Sequence, residues 1–173
     1  MKDVTDPFVV SRAEHSVSRS RIDPDALKVL YRLHQHNYLA YLVGGSVRDL
    51  LLGRPPKDFD IGTSAHPYEI KRLFRNCWII GRRFRLAHVK FGPKTIEVAT
   101  FRRKVPPEEA ALLGTWPQHH SARAAPAGVT PLAHNVHVVH HDNTFGTPEE
   151  DAFRRDFTLN ALFYDIGTFS LID

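Results

Sequence analysis

Two acidic residues one position apart, in the stretch "DFDIGT" at residues 58–63, are the residues best suited to chemistry. The stretch otherwise resembles a strand, where Asp is disfavoured. Because side chains alternate along a strand, Asp58 and Asp60 would share one face while Phe59 and Ile61 point into the core. Paired carboxylates suit Mg²⁺, and two such ions can serve an in-line displacement. The pair predicts a Mg²⁺ site, although an isolated D-x-D is also common on surfaces.

A glycine pair precedes these acids in "YLVGGSVRDLLLG", whose pattern predicts a strand, a turn and a helix. Gly44 and Gly45 would let backbone N–H groups approach a phosphate at the helix N-terminus. Arg48, one turn further, could add a charge-assisted hydrogen bond. The alternative is a tight turn in which Arg48 binds only its own surroundings. The stretch matches neither a Walker A loop nor a G-x-G-x-x-G fingerprint, which excludes both classes of nucleotide site.

Positive charge is concentrated between Lys71 and Lys104, where eleven basic residues accompany a single acid, Glu97. The net charge of the chain is +4. Such a block is either a solvated face or a surface for phosphate. Because it coincides with predicted strands and lies near the other phosphate signals, we favour nucleic acid or a nucleotide as the partner.

Composition indicates one globular domain: 173 residues, of which 42% are hydrophobic and 24% are charged. Cys77 is the single cysteine, so no internal disulfide is possible and a cytoplasmic location is expected. No apolar run is long enough for a membrane span or a signal peptide, so no membrane partner is expected. Six of the eleven histidines lie between residues 119 and 141, but their spacing matches no zinc pattern.

Periodicity divides the chain into a flexible N-terminal arm at residues 1–21 and a domain at residues 22–173. Asp23 as N-cap and Pro24 at the first helical position predict a helix to about Asn37. The patterns that follow predict strands at 39–43, 58–63, 77–80, 86–91 and 95–101, and helices at 46–52 and 67–74.

A long loop is predicted at residues 102–146, where prolines are frequent and periodicity is lost, and mobility is expected across 104–144. Thr147, Pro148 and Glu150 then form a capping-box pattern that starts another helix. We predict that this helix continues through "DAFRRDFTLNALFYD", residues 151–165.

Three motifs in order carry a family resemblance: "GGSVRDLLLG", "DFD" and "RRDFTLNAL". Together they resemble the class II nucleotidyltransferases of the polymerase β superfamily, which comprise bacterial poly(A) polymerases and CCA-adding enzymes. The stretch "GRRFRLAHV" at residues 81–89 resembles the poly(A) polymerase branch. The resemblance implies an α+β fold, a polymerase β-like nucleotidyltransferase head with a small mixed sheet and helices on one side.

The resemblance also implies a reaction and its residues. Asp58 and Asp60 would hold two Mg²⁺ ions while the 3′-hydroxyl of an RNA end attacks the α-phosphate of ATP and releases pyrophosphate. The residues implied to bind the nucleotide are Gly44, Gly45, Arg48 and Arg155. Asp156 would be a third catalytic acid or a ribose contact, and Asn160 would orient its neighbours. Glu97 remains open between a third carboxylate of the site and a salt bridge to a nearby Arg.

Members of this family continue into neck, body and tail domains, and their neck reads the base. None of these is expected within residues 1–173. Two other functions stay open on the sequence: a CCA-adding tRNA nucleotidyltransferase, and a truncated nucleotide- or RNA-binding module with little activity.

Overall fold

A single mixed sheet of eight strands forms the centre of the computed structural model, which describes residues 6–81, 85–106, 108 and 144–173. The strands are β1 (Val9–Val10), β2 (Ala40–Val43), β3 (Asp60–Thr63), β4 (Cys77–Ile80), β5 (Leu86–Phe91), β6 (Lys94–Thr100), β7 (Phe163–Asp165) and β8 (Ser170–Ile172). Their order across the sheet is β1-β8-β7-β2-β3-β6-β5-β4. Among these pairs, β3 and β6 are parallel and the others are antiparallel.

Four α-helices accompany the sheet in the described part of the chain. They are α1 (Pro24–Gln35), α2 (Gly45–Leu51), α3 (Pro67–Leu73) and α4 (Pro148–Phe153). Short 3₁₀ turns occur at Arg12–Glu14, Arg19–Arg21 and Thr158–Asn160. The α+β class and the mixed sheet are confirmed, and the predicted elements up to β6 agree to within one or two residues at most ends.

Helix α1 begins and ends as its sequence predicts. The Asp23 side chain accepts a hydrogen bond from the backbone N–H of Asp25 at 2.8 Å, and Pro24 occupies the first turn. Just past the helix, Asn37 has a φ of 63°, a left-handed conformation that Asn tolerates. Val29 and Leu33 are fully buried, which anchors the helix on the sheet.

The two faces of the sheet have different cores. One face packs against buried side chains of α1, α2 and α3 around Leu42, Ile61 and Val98. The other face has a smaller cluster, formed by Val43, Phe101 and Phe163 together with Ala152 of α4 and others. The helices therefore lie mainly on one side, as predicted, but α4 covers part of the opposite face.

One row of register partners crosses the second face from edge to edge. In sheet order the row consists of Val9, Ile172, Phe163, Val43, Asp60, Glu97, His88 and Trp78. Directly opposite residues on paired strands share a face. The row is therefore apolar over four strands and becomes polar at Asp60.

The N-terminal segment differs from the predicted arm. Val9 and Val10 pair with β8, and Val17 is fully buried in the larger core. Residues 6–21 therefore pack on the domain, because a β-edge and a core cavity elsewhere in the chain accept them. Sequence periodicity does not register such contacts.

The prediction of one helix through residue 165 is wrong. The capping box is present, with the Thr147 N–H donating to Glu150 Oε2 at 2.8 Å, but α4 ends at Phe153. Beyond the 3₁₀ turn the chain forms β7, in which Phe163 and Tyr164 are buried and paired with β2. Pairing with β2 buries these aromatic residues on both faces of the sheet and overrides local helix propensity.

The ends of the predicted loop at 102–146 lie side by side. Arg102 and Phe145 form an isolated antiparallel bridge, and the Gly146 N–H donates to the Phe101 carbonyl at 2.9 Å. Most of the stretch, including its six histidines and the expectation of mobility, lies outside the described residues. Across the ranges described, no helix has the length and apolarity to cross a bilayer.

Gly62 allows the close packing beneath the second face. A Cβ at this position would lie 2.6 Å from Phe101 Cε1 and 3.1 Å from Val43 Cγ1. We expect Gly62→Ala to lower the free energy of unfolding by about 1–3 kcal/mol through overpacking, as measured by urea denaturation. In the Phe101→Leu background the same substitution should cost less. Equal costs in the two backgrounds would contradict this contact as the cause.

Candidate active site

Asp60 is the first residue of β3 and lies between two strands. Its Cα partners are Val43 on β2 and Glu97 on β6. Asp58 lies two residues before the strand, which corrects the prediction of a strand from 58, because β2 turns away at Gly44 and offers no partner there. Phe59 packs against the larger core, so the predicted alternation of faces holds.

Negative charge converges on Asp60. Asp60 keeps an exposed surface at the start of β3, but the partial burial of its carboxylate raises its pKa above the ordinary value, and the carboxylates of Glu97 and Asp58 raise this pKa further. Arg155 acts in the opposite direction. The two predicted acids and Glu97 thus form one electrostatic group, with a cationic side chain beside it.

Glu97 belongs to this group because of the parallel pairing of β3 and β6. Its carboxylate oxygen Oε1 lies 3.5 Å from His88 Nε2 on the neighbouring strand β5. Of the alternatives left by the sequence, the first is supported, because Glu97 is a third carboxylate near Asp60. The neighbour found for it within the described residues is the imidazole of His88, which can form an ion pair with Glu97 only when it is protonated.

The glycine pair forms the turn from β2 into α2. Gly44 has a φ of 72°, and a Cβ there would lie 3.5 Å from Arg155 Nη1. A Cβ at Gly45 would lie 3.3 Å from Arg48 Nη2. Both guanidinium groups therefore lie directly against backbone that has no side chain, one residue beyond the pairing of Val43 with Asp60.

Asn160 joins the two arginines. Arg48 Nη1 donates to the Asn160 side-chain oxygen at 3.0 Å, and Arg155 Nη1 donates to the Asn160 backbone oxygen at 3.2 Å. Arg48 also donates to Asp49. Asn160 thus contacts both arginines, and its role in orienting them stays a prediction. The four predicted nucleotide-binding residues are thereby brought together.

Asp151 is a functional candidate that the sequence analysis missed. It is 2% exposed, accepts from Arg155 Nη2 at 2.8 Å and from Arg154 Nε at 2.9 Å, and also binds the Arg102 backbone N–H. The sequence pattern that could have revealed Asp151 is D-x-x-R-R, because this spacing places both arginines one turn away on the same helical face. Its buried acceptor fixes the direction of Arg155.

Asp156 lies on the side of the site formed by Arg155 and Asn160. It is exposed and lines a small recess with Arg154, Arg155, Phe157 and Asn160. The charged groups that shift the pKa of Asp60 are Glu97, Asp58 and Arg155. Glu97 is thus a third carboxylate near Asp60, and the two roles of Asp156, as a catalytic acid or a ribose contact, remain predictions.

The carboxylate oxygens of Asp58, Asp60 and Glu97 are ligands of the kind that a hard cation prefers. Within the described ranges, no three His, Cys, Asp or Glu side chains form a ready-made metal cluster. Mg²⁺, however, is bound in many phosphoryl-transfer sites by one or two carboxylates plus substrate phosphates. Mutually repelling carboxylates at the start of β3 fit that mode of binding.

Comparison with known proteins places this fold among the nucleotidyltransferase heads. The Bacillus stearothermophilus CCA-adding enzyme in complex with CTP superposes with a TM-score of 0.59 and 32% identity, over 86% of this chain and 30% of that chain. The family model described as the poly A polymerase head domain matches residues 40–173. This chain belongs to that family.

Individual relatives agree with this family. Poly(A) polymerase I of Salmonella typhimurium is 48% identical over 165 residues, which is 95% of this chain and 32% of the relative. A CCA-adding enzyme of Lactobacillus johnsonii is 36% identical over 141 residues, 82% of this chain and 29% of the relative. The chain spans about a third of the length of these curated relatives.

The raised pKa of Asp60 predicts a pH-dependent stability. The pKa of Asp60 in the folded state exceeds its ordinary value of 3.8, so ionising Asp60 lowers the free energy of unfolding. This loss of stability begins near pH 3.8 and grows until the pH has passed the folded-state pKa. We expect Asp60→Asn to be more stable than the parent chain at neutral pH, with the gain shrinking towards zero in acid. Urea unfolding of the parent chain and of Asp60→Asn across this pH range measures the difference in their free energies of unfolding. A gain in Asp60→Asn that does not change with pH would contradict the cause given.

Removing Asp151 should destabilise the fold and release Arg155. We expect Asp151→Ala to lower the free energy of unfolding by about 3 kcal/mol, because it leaves charged partners unpaired next to a buried position. The control Glu149→Ala, an exposed acid on the same helix, should change it by about 0.5 kcal/mol or less. Similar effects of the two substitutions in chemical denaturation would argue against a special role for Asp151.

Proposed function

We propose that this domain is the head of a template-independent RNA nucleotidyltransferase that adds AMP from ATP to RNA 3′ ends. The observation that carries the proposal is the convergence of Asp58, Asp60 and Glu97 beside two arginines joined through Asn160. The carboxylates at one end of the site suit the Mg²⁺ of a Mg²⁺–nucleoside triphosphate complex, and the guanidinium groups at the other end suit its phosphates. The 48% identity to poly(A) polymerase I supports ATP as the nucleotide.

In the proposed mechanism, the chain acts by positioning and charge neutralisation. Asp58 and Asp60 would hold Mg²⁺, which when bound supplies positive charge to the transferred phosphate and to the attacking oxygen. Arg48 and Arg155 would bind phosphate oxygens or the ribose. Each guanidinium has five N–H donors, so donors remain after the contacts to Asn160, Asp49 and Asp151.

The fixed direction of the arginines explains how the site would select an in-line geometry. Arg155 is restrained by Asp151 and by the Asn160 backbone, and Arg48 is restrained by Asp49 and the Asn160 side chain. Gly44 and Gly45 keep the space in front of them free of side chains. A triphosphate bound there would present its α-phosphate to the carboxylates without further rearrangement.

The proposed function places the protein in the cytoplasm. The single cysteine, Cys77, is compatible with that reducing compartment.

A second candidate is CCA addition to tRNA, because the superposed Bacillus stearothermophilus structure is a CCA-adding enzyme with CTP. The two functions differ in the nucleotide incorporated. Because the neck of this family reads the base, the test uses the full-length natural protein that contains this chain, in which RNA supplied with ATP alone should be extended repeatedly. Ordered incorporation of CTP followed by ATP on a tRNA end would instead establish the second candidate.

Loss of either acid of the D-x-D pair should abolish nucleotide addition. In the same full-length protein we expect Asp58→Ala and Asp60→Ala each to reduce AMP transfer by at least about a hundredfold, because charge neutralisation at the phosphate is lost. Calorimetry on the chain alone should show Mg²⁺-dependent ATP binding that weakens in both variants. Asp156→Ala should retain more activity than either. Transfer at the parent rate in the two variants would refute the assignment.

A further inference from the structure

The second face of the sheet continues past the candidate carboxylates to an exposed tryptophan. Trp78 on the edge strand β4 lies opposite His88, His88 lies opposite Glu97, and Glu97 lies opposite Asp60. Trp78 is 50% exposed, and Ile80, two residues further on the same face, is 49% exposed. A continuous sheet surface therefore joins the candidate active site to an apolar, aromatic edge.

Exposure of this kind at a sheet edge is uncommon without a partner. Edge strands are normally protected by charged side chains, bulges or covering segments. Here the solvent-facing positions of β4 are Trp and Ile, so water contacts a flat apolar surface. Exposed patches of this type mark interaction sites more often than scattered single residues do.

The charge around Trp78 has the sign that favours a polyanion. Lys90 is exposed, and its Nζ lies 5.5 Å from the centroid of the Trp78 ring. His88 lies between this cation and Glu97, so that the row passes from carboxylates to a positive and aromatic end. An aromatic ring beside a lysine is the combination on which single-stranded nucleic acid binds, by stacking and by phosphate contact.

The distance along the row corresponds to a few nucleotides. Three strand intervals of about 4.8 Å place Trp78 about 14 Å from Asp60. This length equals about four nucleotides at a stacked spacing of 3.4 Å, and fewer if the strand is stretched. A 3′ end at the carboxylates would therefore bring a base near the third to fifth position from that end over Trp78.

We infer that Trp78, supported by Lys90, is a stacking platform that holds single-stranded RNA a few nucleotides upstream of the reacting 3′ end. This inference rests on the proposed function, because the position of the 3′ end is set by Asp58 and Asp60. A protein strand added to the β4 edge would also cover Trp78. The cation beside the ring and the continuity with the carboxylates favour RNA.

The platform can be tested directly by fluorescence. The chain has two tryptophans, Trp78 and Trp116, so Trp116→Phe leaves Trp78 as the single tryptophan reporter. Titration of this variant with a single-stranded adenylate oligonucleotide of about eight nucleotides should quench the emission saturably. ATP alone should not quench it. Equal quenching by ATP, or none by the oligonucleotide, would overturn the inference.

Substitution and a matched control measure the energetic contribution. In the parent chain, Trp78→Ala should weaken binding of the oligonucleotide by at least about fivefold, and Trp78→Tyr should restore most of it. The control is Tyr68→Ala. Tyr68 is an exposed aromatic residue (61%) with Arg85 against its ring at 5.8 Å, but its helix α3 packs on the opposite face of the sheet. An equal loss in the control, or no loss in Trp78→Ala, would refute the platform.

Abasic substitutions along the oligonucleotide test the register without altering the protein. Removing one base should weaken binding most at roughly the third to fifth position from the 3′ end, and this maximum should vanish in Trp78→Ala. A flat profile would overturn the placement of RNA along the row. Failure of the proposed function gives a different result, since Mg²⁺-dependent ATP binding would then be absent whether or not Trp78 binds RNA.

Discussion

The insertion of β3 between β2 and β6 is the constraint on which the candidate site depends. Its antiparallel partner ends at Val43, so the glycine turn begins beside Asp60, and its parallel partner places Glu97 at the same level. The register of β3 with its two neighbours therefore fixes the position of the glycine turn and of the carboxylates at the same time. A shift of one residue would turn Asp60 into the larger core and Ile61 out of it, which burial of Ile61 strongly opposes.

Acidic and basic side chains alternate through the site, and this arrangement offsets part of the unfavourable energy of ionised Asp60. Ionised Asp60 is destabilised by burial and by two acids, and Arg155 offsets part of that cost. Arg155 is in turn held by the buried Asp151 and linked to Arg48 through Asn160. Residual repulsion among the carboxylates is what a divalent cation would relieve. Under the proposed function, binding of Mg²⁺ and phosphate would stabilise a site with this balance of charges.

Much of the fold and most of the candidate site could be predicted from the sequence because their signals are local. The capping residues of α1, the short alternating strands and the glycine pair each act within a few residues of themselves. The three motifs also name Asp58, Asp60, Gly44, Gly45, Arg48 and Arg155, which the structure does bring together. Where local signals and tertiary contacts agree, sequence is sufficient.

Tertiary structure decided the features that depend on distant partners. The N-terminal segment is ordered because β8 offers an edge, and residues 163–165 form a strand because β2 binds them. Glu97 lies beside Asp60 because β6 runs parallel to β3, a pairing that no local pattern specifies. Asp151 became a restraint on Arg155 only through its burial, and Trp78 came into line with Asp60 only through three successive registers. The sequence by itself determined which residues could do chemistry; pairing between distant strands decided which of them meet, because register is set by burial across the whole sheet.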